Sequence, residues 1–186
     1  MVQAVVVIAV AAGFAAILLG RQGLAWRRFR GRRAIVCPEN QSPAGVVVDA
    51  RHAAASSLLG APELRLASCS RWPEKAACGQ PCLSQIAASP EDCLVRNIVS
   101  RWYQGKACVF CGRPFGAIDW TAAQPALLPA NGVAVEWSQV PAEELSATMA
   151  ASQPVCPACH LANKMVREHP DLVADRSAAA NVASRN

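Results

Sequence analysis

Two cysteine pairs of identical spacing, Cys108-x2-Cys111 and Cys156-x2-Cys159, constrain this chain more than any other feature. A two-residue gap lets a tight turn point both thiolates at one ion, so two such pairs supply the four soft ligands of a closed tetrahedral site. The sequence therefore predicts a bound metal ion, with zinc suited to four thiolates. Gly112 follows the first pair, and a glycine there permits φ > 0 and lets backbone amides turn toward the sulfurs. The second pair continues into His160, and Cys-x2-Cys-His is also the attachment pattern of c-type haem, with Met165 or His169 available as a further axial ligand. Haem at Cys156, Cys159 and His160 leaves Cys108 and Cys111 without a role. One zinc ion uses both pairs and makes His160 a polar neighbour of the site.

The choice depends on compartment, which the first 33 residues address. From Val2 to Leu19 there is no charge and a single amide, Gln3. About 20 helical residues at ~1.5 Å each cross the ~30 Å hydrocarbon layer, so residues 1–20 read as a single transmembrane helix. No basic residue precedes the run, and Arg21, Arg27, Arg28, Arg30, Arg32 and Arg33 follow it without an intervening acid. That order is wrong for a cleaved signal peptide. The bias of positive loops toward the cytoplasm puts the amino terminus outside and the body in the cytoplasm, with one pass through an inner or plasma membrane. The arginines, interleaved with Trp26 and Phe29, suit an anionic leaflet or a plain stop-transfer flank.

The net charge of +5 is a property of this flank. Without those six arginines, 12 basic residues face 13 acidic ones, so the body carries no electrostatic footprint for nucleic acid. Nine cysteines exceed ordinary usage, and a reducing compartment favours metal ligation over disulfides.

The body reads as α+β. Residues 21–36 form a basic juxtamembrane linker, 37–104 a cysteine-rich lobe, 105–175 a second lobe around the two pairs, and 176–186 a disordered tail without period or anchors. In the first lobe, residues 46–49 and 63–67 read as strands flanking a helix at 50–59 closed by Gly60. A helix follows from Ser89 as N-cap to Gly105, with Leu94, Ile98 and Trp102 on one face, Val95 and Val99 alongside, and Glu91 and Asp92 in its first turn. Residues 115–120 and 133–137 read as strands, 141–150 as a helix opening at Glu143 and Glu144, and 161–168 as a last helix. Trp72, Trp102, Trp120 and Trp137 supply apolar mass around the cysteines.

Four further cysteines, Cys69, Cys78, Cys82 and Cys93, predict a second site, with Cys37 as a spare thiol or alternative ligand. Cys78-x3-Cys82 departs from the thioredoxin Cys-x2-Cys pattern and looks more like the pair of copper-handling thioredoxin-like proteins. Four apart on a helix, these two thiolates share a face. Zinc, an iron–sulfur cluster, a redox pair or simple core thiols all fit this spacing.

Residues 106–162, with Cys108-Val109-Phe110-Cys111-Gly112-Arg113-Pro114 and Cys156-Pro157-Ala158-Cys159, resemble the zinc-ribbon class, in which two knuckles on β-hairpins clamp one ion. The 44 residues between Cys111 and Cys156 exceed a compact ribbon, and an inserted helix near 141–150 absorbs the excess. The resemblance implies structural zinc. The functional expectation is a membrane-anchored zinc protein, holding one or two ions, that serves as an interaction module or accessory subunit of a membrane assembly with a protein partner. The alternatives are an electron-transfer or metal-relay protein carrying haem c, an iron–sulfur cluster or copper, and a thiol oxidoreductase using Cys78 and Cys82. No Ser/His/Asp arrangement, P-loop or dinucleotide motif occurs, and His52 reads as a satisfied surface histidine, so no catalytic residue is assigned.

Overall fold

Residues Val2–Phe29 form one uninterrupted helix, α1. The run has no proline and no charge before Arg21, so nothing in it breaks the backbone ladder. Its first 18 residues lie exposed along almost their whole length, and the helix is long and apolar enough to cross a membrane. Its last turns differ, because Ala25 and Phe29 are buried. Gly31 ends it at φ +103, a left-handed conformation, and a Cβ there would meet Leu94 Cδ1 at 3.0 Å. The computed structural model describes residues 2–170 apart from Leu59, Ala76 and Ala123. The expected tail at 176–186 lies outside the described residues. The chain divides into two compact units, Met1–Ile98 and Val99–Asn186.

In the first unit, β1 (Arg32–Val36), β2 (Pro43–Val48) and β3 (Leu66–Cys69) form an antiparallel sheet in that order. Alternate residues point inward, as a strand's period of two demands: Ile35 on β1, and Ala44, Val46 and Val48 on β2. They share one core with Phe29, Ala53, Leu66 and Ile86. Helix α2 (Ala50–Ser56) packs on α1 and is capped by Asp49, whose Oδ1 accepts from the His52 amide at 2.9 Å. Arg65 holds the other carboxylate oxygen through Nε at 3.0 Å and Nη2 at 2.7 Å. Helix α3 (Leu83–Ala88) buries Ile86 in the core.

Arg33 faces inward on β1 and is completely buried, where an aliphatic side chain would be expected. Its Nη2 donates to the Arg28 carbonyl at 2.7 Å and its Nη1 to the Pro90 carbonyl at 3.1 Å. Arg28 is among the last residues of α1, whose carbonyls have no partner within the helix, so the guanidinium caps that end with the sign of charge it favours. Burial nevertheless pulls the Arg33 pKa down from its ordinary value.

The same contacts correct the expected helix start at Ser89. Ala34 N donates to Cys93 O at 2.9 Å and Arg33 bridges Leu94, which draws residues 93–94 to the sheet edge. Helix α4 therefore runs Val95–Tyr103, with Asn97 Nδ2 reaching back to Glu91. Its buried stripe is Val95, Val99 and Tyr103, with Leu94 buried just before its first turn, while Ile98 and Trp102 are half-buried. Glu91 and Asp92 thus lie in the preceding turn.

The second unit holds a sheet of order β5-β4-β6, from β4 (Ala126–Pro129), β5 (Val135–Glu136) and β6 (Ser152–Val155), with both pairings antiparallel. The expected strand at 115–120 is a loop. Phe115 N reaches Lys106 O, but Asp119 then folds on itself by accepting from the amide and hydroxyl of Thr121 at 2.8 and 2.6 Å. The strand at 133–137 contracts to two residues, and β4 follows Pro125 and ends on Pro129, which hid it as a loop. Helix α5 (Leu145–Ala150) starts after Glu144 rather than at Pro141. Helix α6 (Pro157–Glu168) starts four residues earlier than expected and takes Cys156 as its N-cap.

Tyr103 is the buried anchor of this unit, its hydroxyl donating to Ala126 O at 2.7 Å and its ring 4.7 Å from Phe115. Tyr103→Phe should cost about 1–2 kcal/mol, because the ring stays and one buried hydrogen bond goes. Urea unfolding followed by tryptophan fluorescence checks this value.

Candidate metal centre

The first knuckle is closed by backbone hydrogen bonds. Cys108 N donates to Arg113 O at 2.9 Å and Gly112 N to Cys108 O at 2.8 Å, with Gly112 at φ +69. Ala107 bridges Pro114 across the turn. The second cysteine pair lies where β6 gives way to α6: Cys156 caps the helix and accepts from Cys159 N at 3.5 Å. Two bonds tie the halves, Val109 N to Pro154 O at 3.0 Å and Cys156 N to Cys108 Sγ at 3.3 Å. The helical turn at Pro157 sets the second pair, while a left-handed glycine sets the first.

The four sulfurs of Cys108, Cys111, Cys156 and Cys159 all lie within 4.8 Å of one another. Cys111 Sγ and Cys156 Sγ are 3.8 Å apart. A tetrahedron with metal–sulfur bonds of ~2.3 Å has edges of about 3.8 Å, whereas a disulfide needs ~2.05 Å. The arrangement therefore matches an ion-binding tetrad of free thiols. Cys108 and Cys156 are buried, Cys159 is partly buried and Cys111 is exposed at the rim. Their surroundings are apolar: Ala126, Ala134, Val155 and Phe115.

Burial pushes the Cys108 thiol up, yet the amides of Cys156, Cys111 and Phe110 donate to its sulfur and bring it down to about 6. Cys159 moves the other way, to about 12, because its thiol donates to Cys156, with burial adding to the effect. Cys108 is thus the sulfur most disposed to the thiolate form that a cation binds.

His160 sits beside the tetrad on the first turn of α6, its Nε2 3.8 Å from Glu136 Oε1 on β5. Its Nδ1 is buried without a hydrogen-bond partner among the described residues. The sequence placed His160 next to the site, but its approach to Glu136 follows from the β5–β4–β6 pairing and had no local signal. An open cleft of about 340 Å³ adjoins Cys156, with Arg113, Phe115, Asp119 and Pro125 on its walls.

The upstream cysteines are placed differently. Cys69, Cys78 and Cys82 line one small cavity in the first unit, and Cys37, not Cys93, lines it with them. Their sulfurs do not converge as tightly as the tetrad. Cys93 is turned away, its thiol directed at Ser89 O (3.7 Å) and Pro90 O (3.6 Å). Cys78 and Cys82 do not share a helix face. Gln80 adopts φ +55 and Pro81 follows, so α3 starts only after Cys82. Burial pushes the Cys82 thiol up to about 11, with Cys69 and Cys78 next in effect. Trp72 lines this cavity, while Trp120 and Trp137 stack edge-on at 5.0 Å in the second unit. His52 pairs loosely with Glu63 at 3.6 Å on the surface.

Compared with known protein families, with curated proteins and with solved structures, the chain gives no significant match to any.

Proposed function

We propose that this is a single-pass membrane protein whose second unit is a zinc-ribbon-like module built around one structural zinc ion, and that the module serves as an interaction surface within a membrane assembly. The observation that carries this reading is the convergence of four thiols, from two turns 44 residues apart, within 4.8 Å. Four protein ligands close the coordination sphere, leaving no position for a substrate, as in structural rather than catalytic zinc sites. Apolar side chains at the knuckle tip, Val109 and Phe110, and on α6, Leu161, Met165 and Val166, are exposed and offer a partner something to cover. The apolar stretch of α1 is not buried among the described residues, and its composition favours lipid as its surroundings.

Metal analysis of the purified full chain tests the core of this reading. Zinc protein is colourless, whereas haem or an iron–sulfur cluster absorbs visible light. His160→Ala should leave the zinc content unchanged; loss of a visible chromophore in that variant would instead establish haem at Cys156 and Cys159.

Orientation has its own test. The six arginines after the apolar run favour a body on the cytoplasmic side. A reporter fused after Asn186 should be active only if it works in the cytoplasm, and the intact mass of the purified chain should retain α1. Activity of a reporter that matures only outside the cytoplasm would reverse the orientation, and a shortened mass would make α1 a signal sequence.

A further inference from the structure

Cys37 lies in the turn between β1 and β2, held by Cys37 N to Ser42 O at 2.8 Å and Gln41 N to Cys37 O at 2.9 Å, with Gln41 at φ +56. Cys108 closes its own turn at the same two offsets, Cys108 N to Arg113 O and Gly112 N to Cys108 O, with Gly112 at φ +69. The turn at Cys37 is therefore a knuckle with a single cysteine. Arg71 Nη1 donates to the Cys37 sulfur at 3.1 Å. Cys69 ends β3, and Cys78 Sγ accepts from Gln80 N at 3.3 Å. Cys82 immediately precedes α3 and is 5% exposed. Gln80 Oε1 accepts from Leu66 N at 2.8 Å, which pins the Cys78–Cys82 loop to β3.

The cavity these four cysteines line has a volume of about 20 Å³, closed by Ile35, Leu66 and Trp72. That is room for about one water-sized particle, too little for an iron–sulfur cluster or an organic substrate. Arg71, Lys75 and Glu39 line it as well; Lys75 is paired with Glu39, which leaves Arg71 as the positive charge that offsets a surplus of thiolate.

We propose that Cys37, Cys69, Cys78 and Cys82 form a second site for one divalent metal ion of zinc type, independent of the tetrad in the other unit, and that Cys93 is not part of it. Four cysteines from three separate segments, lining one ion-sized space, supply the donor set of a closed structural site. Cys78 is the member that must turn inward. Its sulfur now lies 3.9 Å from Glu39 Oε1, and metal binding replaces that thiol proton with the ion. Glu39 keeps its ion pair with Lys75.

The test uses the full chain in detergent under reducing conditions, loaded with Zn²⁺, dialysed and measured for metal per chain, with Co²⁺ in parallel to report thiolate ligation by its charge-transfer absorption. Wild type should hold two equivalents. Cys37→Ser and Cys69→Ser should each hold one and halve the cobalt–thiolate absorption, while Cys93→Ser keeps two. The equivalent remaining in Cys37→Ser shows that the second unit of that variant has folded. Should the upstream variants fail to fold, cobalt titration of wild type decides between two tetrathiolate equivalents and one. Two equivalents in Cys37→Ser, or one in Cys93→Ser, overturns the assignment. A wild type with one equivalent, lost in Cys111→Ser but kept in Cys37→Ser, removes the second site and leaves the first standing. Reversible oxidation of Cys78 and Cys82 in a thiol-trapping assay of such single-equivalent protein would make them a redox pair instead.

Discussion

Cys108→Ser and Cys159→Ser will each remove one equivalent of metal and unfold most of the second unit. Structural zinc contributes about 10–16 kcal/mol of apparent binding free energy in small domains, against a total stability of about 5–15 kcal/mol for an ordinary protein. The buried apolar set around this site is small, and two of its fully buried members, Cys108 and Cys156, are the ligands themselves. A serine hydroxyl at Cys108 replaces a sulfur that three amides and a neighbouring thiol stabilise as thiolate. Cys111→Ser should be milder in packing, because that side chain is exposed, but equal in metal loss. Elemental analysis gives the stoichiometry, and hydrogen exchange of β4, β5 and β6 shows whether the sheet persists. Full metal content in either variant would sink the four-cysteine assignment.

The second large effect belongs to Arg33. Replacing it by Met keeps the aliphatic volume but leaves the carbonyls of Arg28 and Pro90 buried without their donors. An orphaned buried acceptor costs about 1–3 kcal/mol, and the burial cost of the guanidinium is regained, so the net loss should be about 3 kcal/mol. Arg33→Lys can reach one carbonyl and should lose about half as much. Thermal unfolding of the full chain in detergent, followed by circular dichroism, checks both. A change below about 0.5 kcal/mol, the range of neutral surface substitutions, would show that the buried guanidinium is not a structural staple.

The tetrad was legible because each half is a local object: two residues between cysteines fix a turn whatever the rest of the chain does. That the halves meet required only that both pairs seek the same ion. Arg33 was not legible, since six neighbouring arginines read as one solvated flank, and only the pairing of β1 with β2 turns one of them inward. Cys93 was grouped with Cys78 and Cys82 by proximity in sequence, yet its backbone is drawn to Ala34 on β1. Cys37 is far from Cys69 in sequence and carries no second cysteine on its turn, so the sequence offered it only as a spare thiol or alternative ligand beside Cys69, Cys78, Cys82 and Cys93. The helix at 50–59 and the strand around 46–48 were found with short errors at their ends, where Asp49 and Val48 decide the change from period two to 3.6. β4 was hidden by its flanking prolines, and the loop at 115–120 by an aspartate that closes on itself.

Only Arg30 and Gly31 separate α1 from β1, and Arg33 locks the last turn of the helix to the sheet. A helix that continues into its domain in this way is an axle rather than a tether. With α1 in a bilayer, any rotation or change of tilt imposed on it by a neighbouring helix turns the β1–β2–β3 sheet by the same angle, because no swivel of free residues intervenes. Movement inside the lipid and the attitude of the first unit at its surface then become a single mechanical coordinate. Lengthening the junction after Gly31 with glycine and serine would uncouple them while leaving both parts intact.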